Sequence, residues 1–342
     1  MDVLQRNDQA FPSSLPEFQQ MFPDDAACAA YLEQSRWPIG FICQHCEAAG
    51  APFRFENRPG VLRCRNCRRD ISLTAGTIMN HTRTPLTVWF WAAYLVTTHT
   101  TGLSALQFQR QLGLSRYETA FLILHKLRAG MVRPDQDRVF PAIGDHVEVD
   151  ETLVGGRTRG EGRGVHHKVL VATAVEVRHH KDTTKSVAKR NGGRYAGRLR
   201  LALVPDRSAE SLCDFVEGAV ALSASVITDD WKGYAGLTMR GYEHTAVAER
   251  SDPQVAEEHL PIIRLVFANL KAWLLGIHHG AVSHQHLQAY LNEFTFRVNR
   301  RHYPFNAFRS LLGNAGGVIA PTYKGLYSHE WQHPTTYSRR GS

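Results

Sequence analysis

Four cysteines stand in two C-x-x-C pairs, Cys43 with Cys46 and Cys64 with Cys67. Each pair places two thiolates on one side of a tight turn, and two such turns supply the four sulfurs of a tetrahedral zinc ion. The seventeen residues between the pairs alternate and turn as a hairpin does. The spacing predicts a structural zinc ribbon, because four sulfurs leave no open coordination position. The alternatives are His45 in place of one sulfur, or four unrelated buried thiols.

A second set of candidate residues is acidic and lies further along the chain. Residues 146–154 alternate as a half-buried strand does, which places Glu148 and Asp150 on one face. A carboxylate in such a strand is costly unless it is paired or binds a metal. Another strand-like run, at 225–228, ends in Asp229. A third ligand is expected from a later helix at 259–276, with Glu257 and Glu258 just before it and Asn269 and Lys271 within it.

The elements around these carboxylates have a recognisable order. Strands are predicted at 168–177 and 198–204, followed by an amphipathic helix at 208–220. Three strands, a helix and a strand that ends in Asp is the ribonuclease-H-like order. In that architecture Asp150 and Asp229 can converge on one Mg²⁺. Two oxygen-ligated metals about 4 Å apart stabilise the attacking and leaving oxygens of phosphoryl transfer.

Between the ribbon and the first of these strands the chain is predicted to be helical. Ser104 and Ser115 each begin a capping-box pattern, and the turn at 112–114 between them contains Gly113. A helix, a Gly-containing turn and a second helix in a basic chain suggest a helix-turn-helix. The alternative is an ordinary helical hairpin in a core. The second helix is expected to direct four apolar side chains inward and four polar ones outward. The inward set is Ala120, Phe121, Leu124 and Leu127, and the outward set is Arg116, His125, Lys126 and Arg128.

Composition narrows the class of protein. The 342 residues include 40 Lys and Arg against 32 Asp and Glu, a net charge of +8, which is compatible with a polyanionic partner. Residues 1–20 lack the pattern of a secretion signal, and the apolar run at 88–96 is too short to span a bilayer. We therefore expect a globular cytoplasmic protein. Residues 157–200 carry twelve Lys and Arg but only three Asp and Glu.

Taken together, these residues resemble bacterial insertion-sequence transposases of the DDE superfamily, in the family whose zinc ribbon precedes an integrase-like domain. The resemblance runs from about residue 37 to residue 312. Its most diagnostic segments are 149–156, 228–234, 269–274 and 290–301. Three positions depart from the family pattern, namely Asp230, Arg264 and Ala268.

The resemblance implies a catalytic site. Asp150 and Asp229 match the first two catalytic acids, Asn269 matches a third position that is Glu or Asn in the family, and Lys271 follows it. Asp150, Asp229 and Asn269 would then hold Mg²⁺ or Mn²⁺. The implied reaction is cleavage at insertion-sequence ends and transfer of the 3′-hydroxyl to target DNA. The alternatives are a non-enzymatic DNA-binding protein derived from a transposase, and a nuclease that cuts without joining.

The implied partners are DNA, as terminal inverted repeats and target, and further copies of the chain in a homodimer or larger assembly on the nucleoid. Arginines of the ribbon suggest phosphate contact, with a solvated surface as the alternative. Four aromatic residues are expected in the core, with base-stacking platforms as the alternative, namely Trp231, Trp273, Phe294 and Phe296. The candidate DNA-binding residues are Arg116, Lys126, Arg157, Arg159, Arg163, Lys168, Lys189, Arg190, Lys232, Arg297, Arg300 and Arg301.

The fold class follows as multidomain α+β. The predicted parts are a helical lead-in at 1–38, a zinc ribbon at 39–80, a helical, helix-turn-helix-like DNA-binding region at 81–140, a ribonuclease-H-like catalytic domain at 141–312 with a basic insertion at 157–200, and a tail at 313–342.

Overall fold

The structure is a computed structural model and describes residues 12, 14–99, 101–132, 138–155, 168–180, 191–248, 259–278, 284–302, 304–313 and 321–328. The chain divides into two compact units. One combines Met1–Gly130 with His302–Tyr327, and the other combines Met131–Arg301 with Ser328–Ser342.

Both units contain helices and a β-sheet. The helices are α1 (Leu15–Met21), α2 (Asp25–Arg36), α3 (Leu86–Thr98), α4 (Ala105–Gln111), α5 (Tyr117–Ala129), α6 (Ala209–Ala219), α7 (Pro261–His278), α8 (His284–Arg300), α9 (Pro304–Gly313) and α10 (Tyr323–Tyr327). The strands are β1 (Phe53–Arg54), β2 (Val61–Arg63), β3 (Asp70–Ser72), β4 (His146–Val154), β5 (Val169–His179), β6 (Arg194–Leu203), β7 (Ser225–Asp229) and β8 (Glu243–Val247).

An aromatic core holds the helices of the first unit together. Phe18 of α1 lies 4.4 Å from Tyr94, and Phe22 lies 4.8 Å from Phe90 of α3, measured between ring centroids. Phe308 of α9 contacts the same rings. The predicted boundary at residue 312 therefore differs from the observed one, because the buried Phe308 ties α9 to the N-terminal helices rather than to the second unit.

The starts of the helices confirm one predicted cap and correct another. Ser104 caps α4, since its Oγ accepts a hydrogen bond from the backbone N–H of Gln107 at 3.2 Å. Gly113, in the turn after α4, has a φ of +60°, which only glycine adopts without strain. The expectation that Ser115 caps α5 is wrong. That helix begins at Tyr117 after Arg116, without a side-chain cap.

Helix α5 is buried more completely than predicted. Ala120, Phe121, Leu124 and Leu127 lie in the core as expected. The outward placement of His125, Lys126 and Arg128 is wrong, because all three are buried. Lys126 donates from Nζ to the backbone oxygen of Asn80 at 3.1 Å, and burial lowers the pKa of its ammonium. Lys126 therefore makes a structural contact inside the first unit rather than facing solvent.

The second unit is built on a five-stranded mixed sheet with the strand order β6-β5-β4-β7-β8. Strands β4, β5 and β6 are antiparallel neighbours, whereas β7 runs parallel to β4 and β8 runs parallel to β7. Helix α6 connects β6 to β7. This is the predicted ribonuclease-H-like order of three strands, a helix and a strand that ends in Asp229.

Helices cover both faces of this sheet. Val147 and Val149 of β4 pack on one face against Leu212 and Phe215 of α6. On the other face, β5 and β6 pack against α7 and α8, and the cluster includes Val154 and Ile227. Alternate residues of a strand point to opposite faces, so the even-numbered residues of β4 and the odd-numbered residues of β7 share the face under α7.

Helix α8 also closes the edge of the sheet at β6. The side-chain amide of Asn299 accepts from the N–H of Leu199 at 2.8 Å and donates to its carbonyl at 3.0 Å. Gln288 accepts from the N–H of Leu203 at 3.0 Å. These contacts satisfy backbone groups that an edge strand otherwise exposes.

The basic segment 157–200 is only in part an insertion. Residues 169–179 and 194–200 belong to β5 and β6, and Arg200 is buried. Among the helices described, none is both long and apolar enough to cross a bilayer.

Candidate functional site

The four ribbon cysteines converge on one point. Their sulfurs all lie within 4.8 Å of one another, with 3.6 Å between Cys43 and Cys67 and 3.7 Å between Cys46 and Cys64. A tetrahedral zinc ion with Zn–S bonds of about 2.3 Å requires sulfurs about 3.8 Å apart. The cluster therefore fits one zinc ion, and the predicted set of four sulfurs is confirmed without His45.

Two matching backbone turns hold these sulfurs. In each turn the residue after the second cysteine, Glu47 or Arg68, has a φ near +60° and donates its N–H to the carbonyl of the first cysteine. A backbone hydrogen bond from Ala48 lowers the pKa of Cys46 to about 6. Only the thiolate binds zinc, so this environment favours the metal-binding form of the residue.

The two predicted aspartates lie on neighbouring strands. Strands β4 and β7 pair in parallel with Glu148 opposite Ile227. Continued by two residues along both strands, this register would bring Asp150 opposite Asp229, and both residues alternate onto the face of the sheet that packs against α7. Neighbouring strands are about 4.8 Å apart, which lets two carboxylates approach one cation. Each aspartate also accepts a backbone hydrogen bond, from Glu151 at 2.7 Å and from Trp231 at 3.3 Å.

Polar atoms around Asp150 support a cation site. Thr173 lies directly opposite Asp150 on β5, and Glu148 precedes it by two residues on the same face. Within the described part of the chain, the buried Oγ1 of Thr173 and Oε1 of Glu148 have no hydrogen-bond partner. Mg²⁺ prefers oxygen ligands and keeps several of its waters, and such waters would satisfy these atoms. The donor set therefore fits a hydrated divalent cation.

Glu148 connects the sheet to the start of α7. Its Oε2 accepts the backbone N–H of Ile263 at 2.7 Å. Burial raises the pKa of Glu148 to about 7, although the hydrogen bond from Ile263 opposes the shift. The contact fixes the first turn of α7, the helix that carries Asn269, to the face of the sheet on which Asp150 lies.

Asn269 and Lys271 are both exposed on α7 but do not point the same way. Successive helical residues are about 100° apart, so the two side chains differ by about 200° around the axis. Asn269 lies at the edge of the buried helix face that is nearer to Val266, whereas Lys271 lies at the edge that is nearer to Phe267. The helix therefore does not bring Asn269 and Lys271 to one point.

A second buried carboxylate, that of Glu151, lies on the other face of β4 and was not predicted from the sequence. Glu151 accepts the hydroxyl of Tyr234 at 2.5 Å and pairs with the guanidinium of Arg207. Burial raises the pKa of Tyr234 most, and the charges of Glu151, Asp150 and Asp229 raise it further. Both aspartates thus lie within electrostatic range of this hydroxyl.

The segment after Asp229 depends on a glycine. A Cβ at Gly233 would lie 2.8 Å from the backbone oxygen of Arg207 and 2.8 Å from Cδ1 of Leu212. Only glycine lets the 3₁₀ turn at Lys232–Tyr234 pass this close, and that turn delivers Tyr234 to Glu151.

The expected core aromatics separate into two groups. Phe294 and Phe296 are buried as predicted, and Trp273 is half-buried. The core placement of Trp231 is wrong, because 43% of its surface is exposed. Its indole N–H donates to the backbone oxygen of Arg207 at 2.9 Å, which holds the ring at the surface rather than in the core.

The candidate DNA-binding residues fall into three sets, namely those that are exposed, those that are engaged within the protein, as Lys126 is, and those outside the described residues. Arg116, Lys168 and Lys232 are exposed. Arg297 is not, since its side chain is 13% exposed and pairs with Glu293 at 3.6 Å. Arg157, Arg159, Arg163, Lys189 and Arg190 lie outside the described residues.

The two arginines after Arg297 are engaged within the second unit. Arg301 donates to the backbone oxygens of Val298, at 2.7 Å, and Ala196. Arg300 is half-buried and lies over the ring of Phe296 at 4.2 Å. These contacts give the arginines a structural role at the end of α8.

The arginines of the ribbon differ among themselves. Arg54 pairs with Glu33, and Arg63 pairs with Asp70, each at 2.5 Å. Arg65, Arg68 and Arg69, on the second turn of the ribbon, are exposed.

Two family models match this chain. Residues 142–299 match the ISXO2-like transposase domain, and residues 23–70 match the transposase zinc-ribbon domain. The first range spans the strands of Asp150 and Asp229 and the helix of Asn269, and the second contains all four cysteines. Neither the comparison with curated proteins nor that with solved structures yields a match.

Proposed function

The chain is a transposase that joins a zinc ribbon to an ISXO2-like domain, and on that premise we propose that it cuts insertion-sequence ends and joins them to target DNA. The parallel pairing of β4 with β7, whose continuation would bring Asp150 opposite Asp229, supports this proposal. The reaction balances without a covalent protein intermediate. Water attacks the phosphorus and releases a DNA 3′-hydroxyl, and that hydroxyl then attacks a target phosphodiester and expels a second 3′-hydroxyl.

Asp150, Asp229 and Asn269 would hold the divalent cation, Mg²⁺ or Mn²⁺. When bound, the cation supplies charge neutralisation at the phosphate oxygens and activation of the attacking group. The carboxylates need fixed orientations for this task. The N–H groups of Glu151 and Trp231 donate to one oxygen of Asp150 and of Asp229, respectively, and so help to fix the two carboxylates.

The opposite edges of α7 suggest separate roles for its two polar residues. We assign Asn269 to the cation, which its amide oxygen can ligate without adding charge. We assign Lys271 to a DNA phosphate away from the cation, because it lies at the opposite edge of the buried helix face from Asn269. Positioning and electrostatic stabilisation then supply the catalysis.

DNA binding is assigned to exposed cations in both units. In the first unit, Arg116 before α5 and the ribbon residues Arg65, Arg68 and Arg69 are accessible for phosphate contacts. In the second unit, Lys168 and Lys232 are accessible. Two DNA ends must be held together for joining, so we propose that a homodimer or larger assembly is the active form.

A strand-transfer assay tests the proposal. The substrate is a pre-cut duplex that carries the terminal sequence of the element encoding this chain, together with a target plasmid and Mg²⁺ or Mn²⁺. Wild type should join the two DNAs, and Asp150→Ala or Asp229→Ala should abolish joining. The matched control Glu210→Ala removes an exposed carboxylate on α6 and should join as wild type does.

Other outcomes of this assay would contradict the proposal in distinguishable ways. Joining that survives in both aspartate variants would overturn the site assignment. Cutting without joining would indicate a nuclease, and binding without cutting would indicate a DNA-binding protein derived from a transposase.

A further inference from the structure

Trp231 presents an aromatic ring to solvent next to the aspartate pair. It follows Asp229 by two residues, and its backbone N–H donates to Oδ1 of that aspartate at 3.3 Å. An indole that is 43% exposed forgoes part of the free energy that burial of a large apolar side chain provides. Burial in the core therefore does not account for a tryptophan at this position.

The ring is fixed in place rather than free to rotate. Its Nε1 donates to the backbone oxygen of Arg207 at 2.9 Å, and the guanidinium of Arg207 lies over the ring, 4.6 Å from its centre. That guanidinium is itself anchored by the buried carboxylate of Glu151. A ring that is already ordered loses little conformational entropy when a ligand stacks on it.

The surroundings define the chemistry of a ligand. Lys232, the next residue, is exposed, and the side chain of Arg207 is 46% exposed beside the ring. A flat apolar surface next to two cations suits a planar heterocycle that is attached to a phosphate. Nucleobases stack on aromatic side chains in this way, whatever their sequence.

We propose that Trp231 is a stacking platform for an unpaired nucleobase of the DNA strand that enters the aspartate site. The inference rests on the proposed function, because it assumes DNA as the substrate. The platform would hold the strand by its base while Lys232 and Arg207 contact its phosphates. Such a contact fixes the position of the scissile phosphate along the strand.

Equilibrium binding of single strands tests the platform. The full-length zinc-loaded protein is titrated, without Mg²⁺, against a fluorescein-labelled 20-mer of thymidine and a 20-mer of abasic residues with the same phosphates. Alanine replacement of a stacking aromatic typically weakens binding by about 5-fold to more than 100-fold. Wild type should therefore prefer the thymidine strand by about 10-fold, and Trp231→Ala should lose most of that preference.

Two control variants separate stacking from structural damage. Trp231→Phe keeps a ring but lacks the indole N–H, and it should retain most of the preference for the thymidine strand. Phe140→Ala removes another exposed ring of the second unit, 63% exposed, and should leave the preference unchanged. In every variant the affinity for the abasic strand should stay within about 2-fold of wild type.

The results that overturn the platform differ from those that overturn the proposed function. Equal binding of both strands by wild type, or an unchanged preference in Trp231→Ala, refutes the platform and leaves the transposase proposal standing. A failure of wild type to bind either strand at low salt also refutes the platform, whereas the transposase proposal is refuted only if wild type fails to cut and join in the duplex strand-transfer assay.

Discussion

Glu151 follows Asp150 directly in the sequence, yet its side chain lies on the opposite face of β4. Its partners, Arg207 and Tyr234, lie 56 and 83 residues further along the chain. The alternating pattern of β4 was enough to predict the face of Asp150, because alternation is a local property. No local pattern specifies which distant side chains pair with a buried carboxylate. The partners of Glu151 could therefore be identified only from the folded structure.

Replacement of Asn269 by Glu should strengthen cation binding. A carboxylate adds the negative charge that an amide lacks, so Asn269→Glu should lower the Mg²⁺ concentration needed for half-maximal joining by about 10-fold or more. Asn269→Ala should raise that concentration. Both are measured by Mg²⁺ titration of the strand-transfer reaction.

Ala268→Glu is the matched control for this change, since it adds the same charge at an exposed neighbouring position of α7. It should leave the Mg²⁺ requirement within about 2-fold of wild type. A requirement that falls equally in both variants would show that Asn269 has no special access to the cation.

Gly233 should not tolerate a side chain. Gly233→Ala forces a methyl group to within 2.8 Å of a backbone oxygen and a leucine carbon, so the free energy of unfolding should fall by about 2 kcal/mol. At Gly236 the nearest atom to a new Cβ is Sγ of Cys213 at 3.5 Å, and Gly236→Ala should change that free energy by less than about 1 kcal/mol. Urea unfolding of both variants checks this, and equal losses would contradict it.

At the scale of elements, the zinc ribbon and α5 show what local patterns can and cannot predict. The four zinc ligands of the ribbon could be predicted because they all lie within a short segment, from Cys43 to Cys67, at a spacing typical of zinc sites. Helix α5 was misjudged because it is covered on most sides by its own unit. For example, the ring centroids of Phe121 and of Tyr327 in α10 lie 5.8 Å apart. A helix in such surroundings buries polar residues such as Lys126 that periodicity assigns to solvent.

Removal of zinc should expose four thiols and no others. At pH 8 the native protein should react slowly with a disulfide reagent, and after chelation Cys43, Cys46, Cys64 and Cys67 should react, with one zinc ion released per chain. Burial raises the pKa of Cys28 to about 12 and also raises that of Cys213, so both stay protonated and unreactive.

The thiol count has an internal check. All six cysteines should react in guanidinium chloride, and Cys213→Ala should give five there but still four after chelation alone. Fewer than four thiols after chelation, or a zinc content other than one per chain, would refute the ribbon assignment.

The amide contacts of α8 should govern the stability of the sheet edge. Asn299→Ala leaves the N–H and carbonyl of Leu199 without their partners, a loss of about 1–3 kcal/mol. The amide hydrogen of Leu199 should then exchange at least about 10-fold faster, as followed by native-state hydrogen exchange.

Gln288→Ala provides the reciprocal comparison, because it removes the acceptor for the Leu203 N–H instead. It should speed exchange at Leu203 more than at Leu199. Uniform acceleration of both amides in both variants would mean that the whole edge opens together and that the two contacts have no local effect.

At the scale of the whole molecule, the chain returns to its first unit after the second is complete. Helices α9 and α10 belong with residues 1–130 rather than with the segment that precedes them. The order of the elements from β4 to β7 was predictable, because each has its own periodicity, whereas the edge strand β8 was not predicted. The return of α9 was not, since an apolar helix face does not specify which core will cover it. The division therefore assigns both aspartates, but none of the ribbon cysteines, to the second unit.

The central claim is that Asp150 and Asp229 share one divalent cation. Iron-directed cleavage of the polypeptide tests it most directly, because Fe²⁺ bound at a Mg²⁺ site reduces added hydrogen peroxide to hydroxyl radicals that cut the nearest backbone, while ascorbate returns the iron to Fe²⁺. We predict breaks at both β4 and the end of β7, suppressed by excess Mg²⁺ and lost together in Asp150→Asn and in Asp229→Asn. Breaks confined to one of these strands, or breaks that persist in either variant, would contradict the shared site.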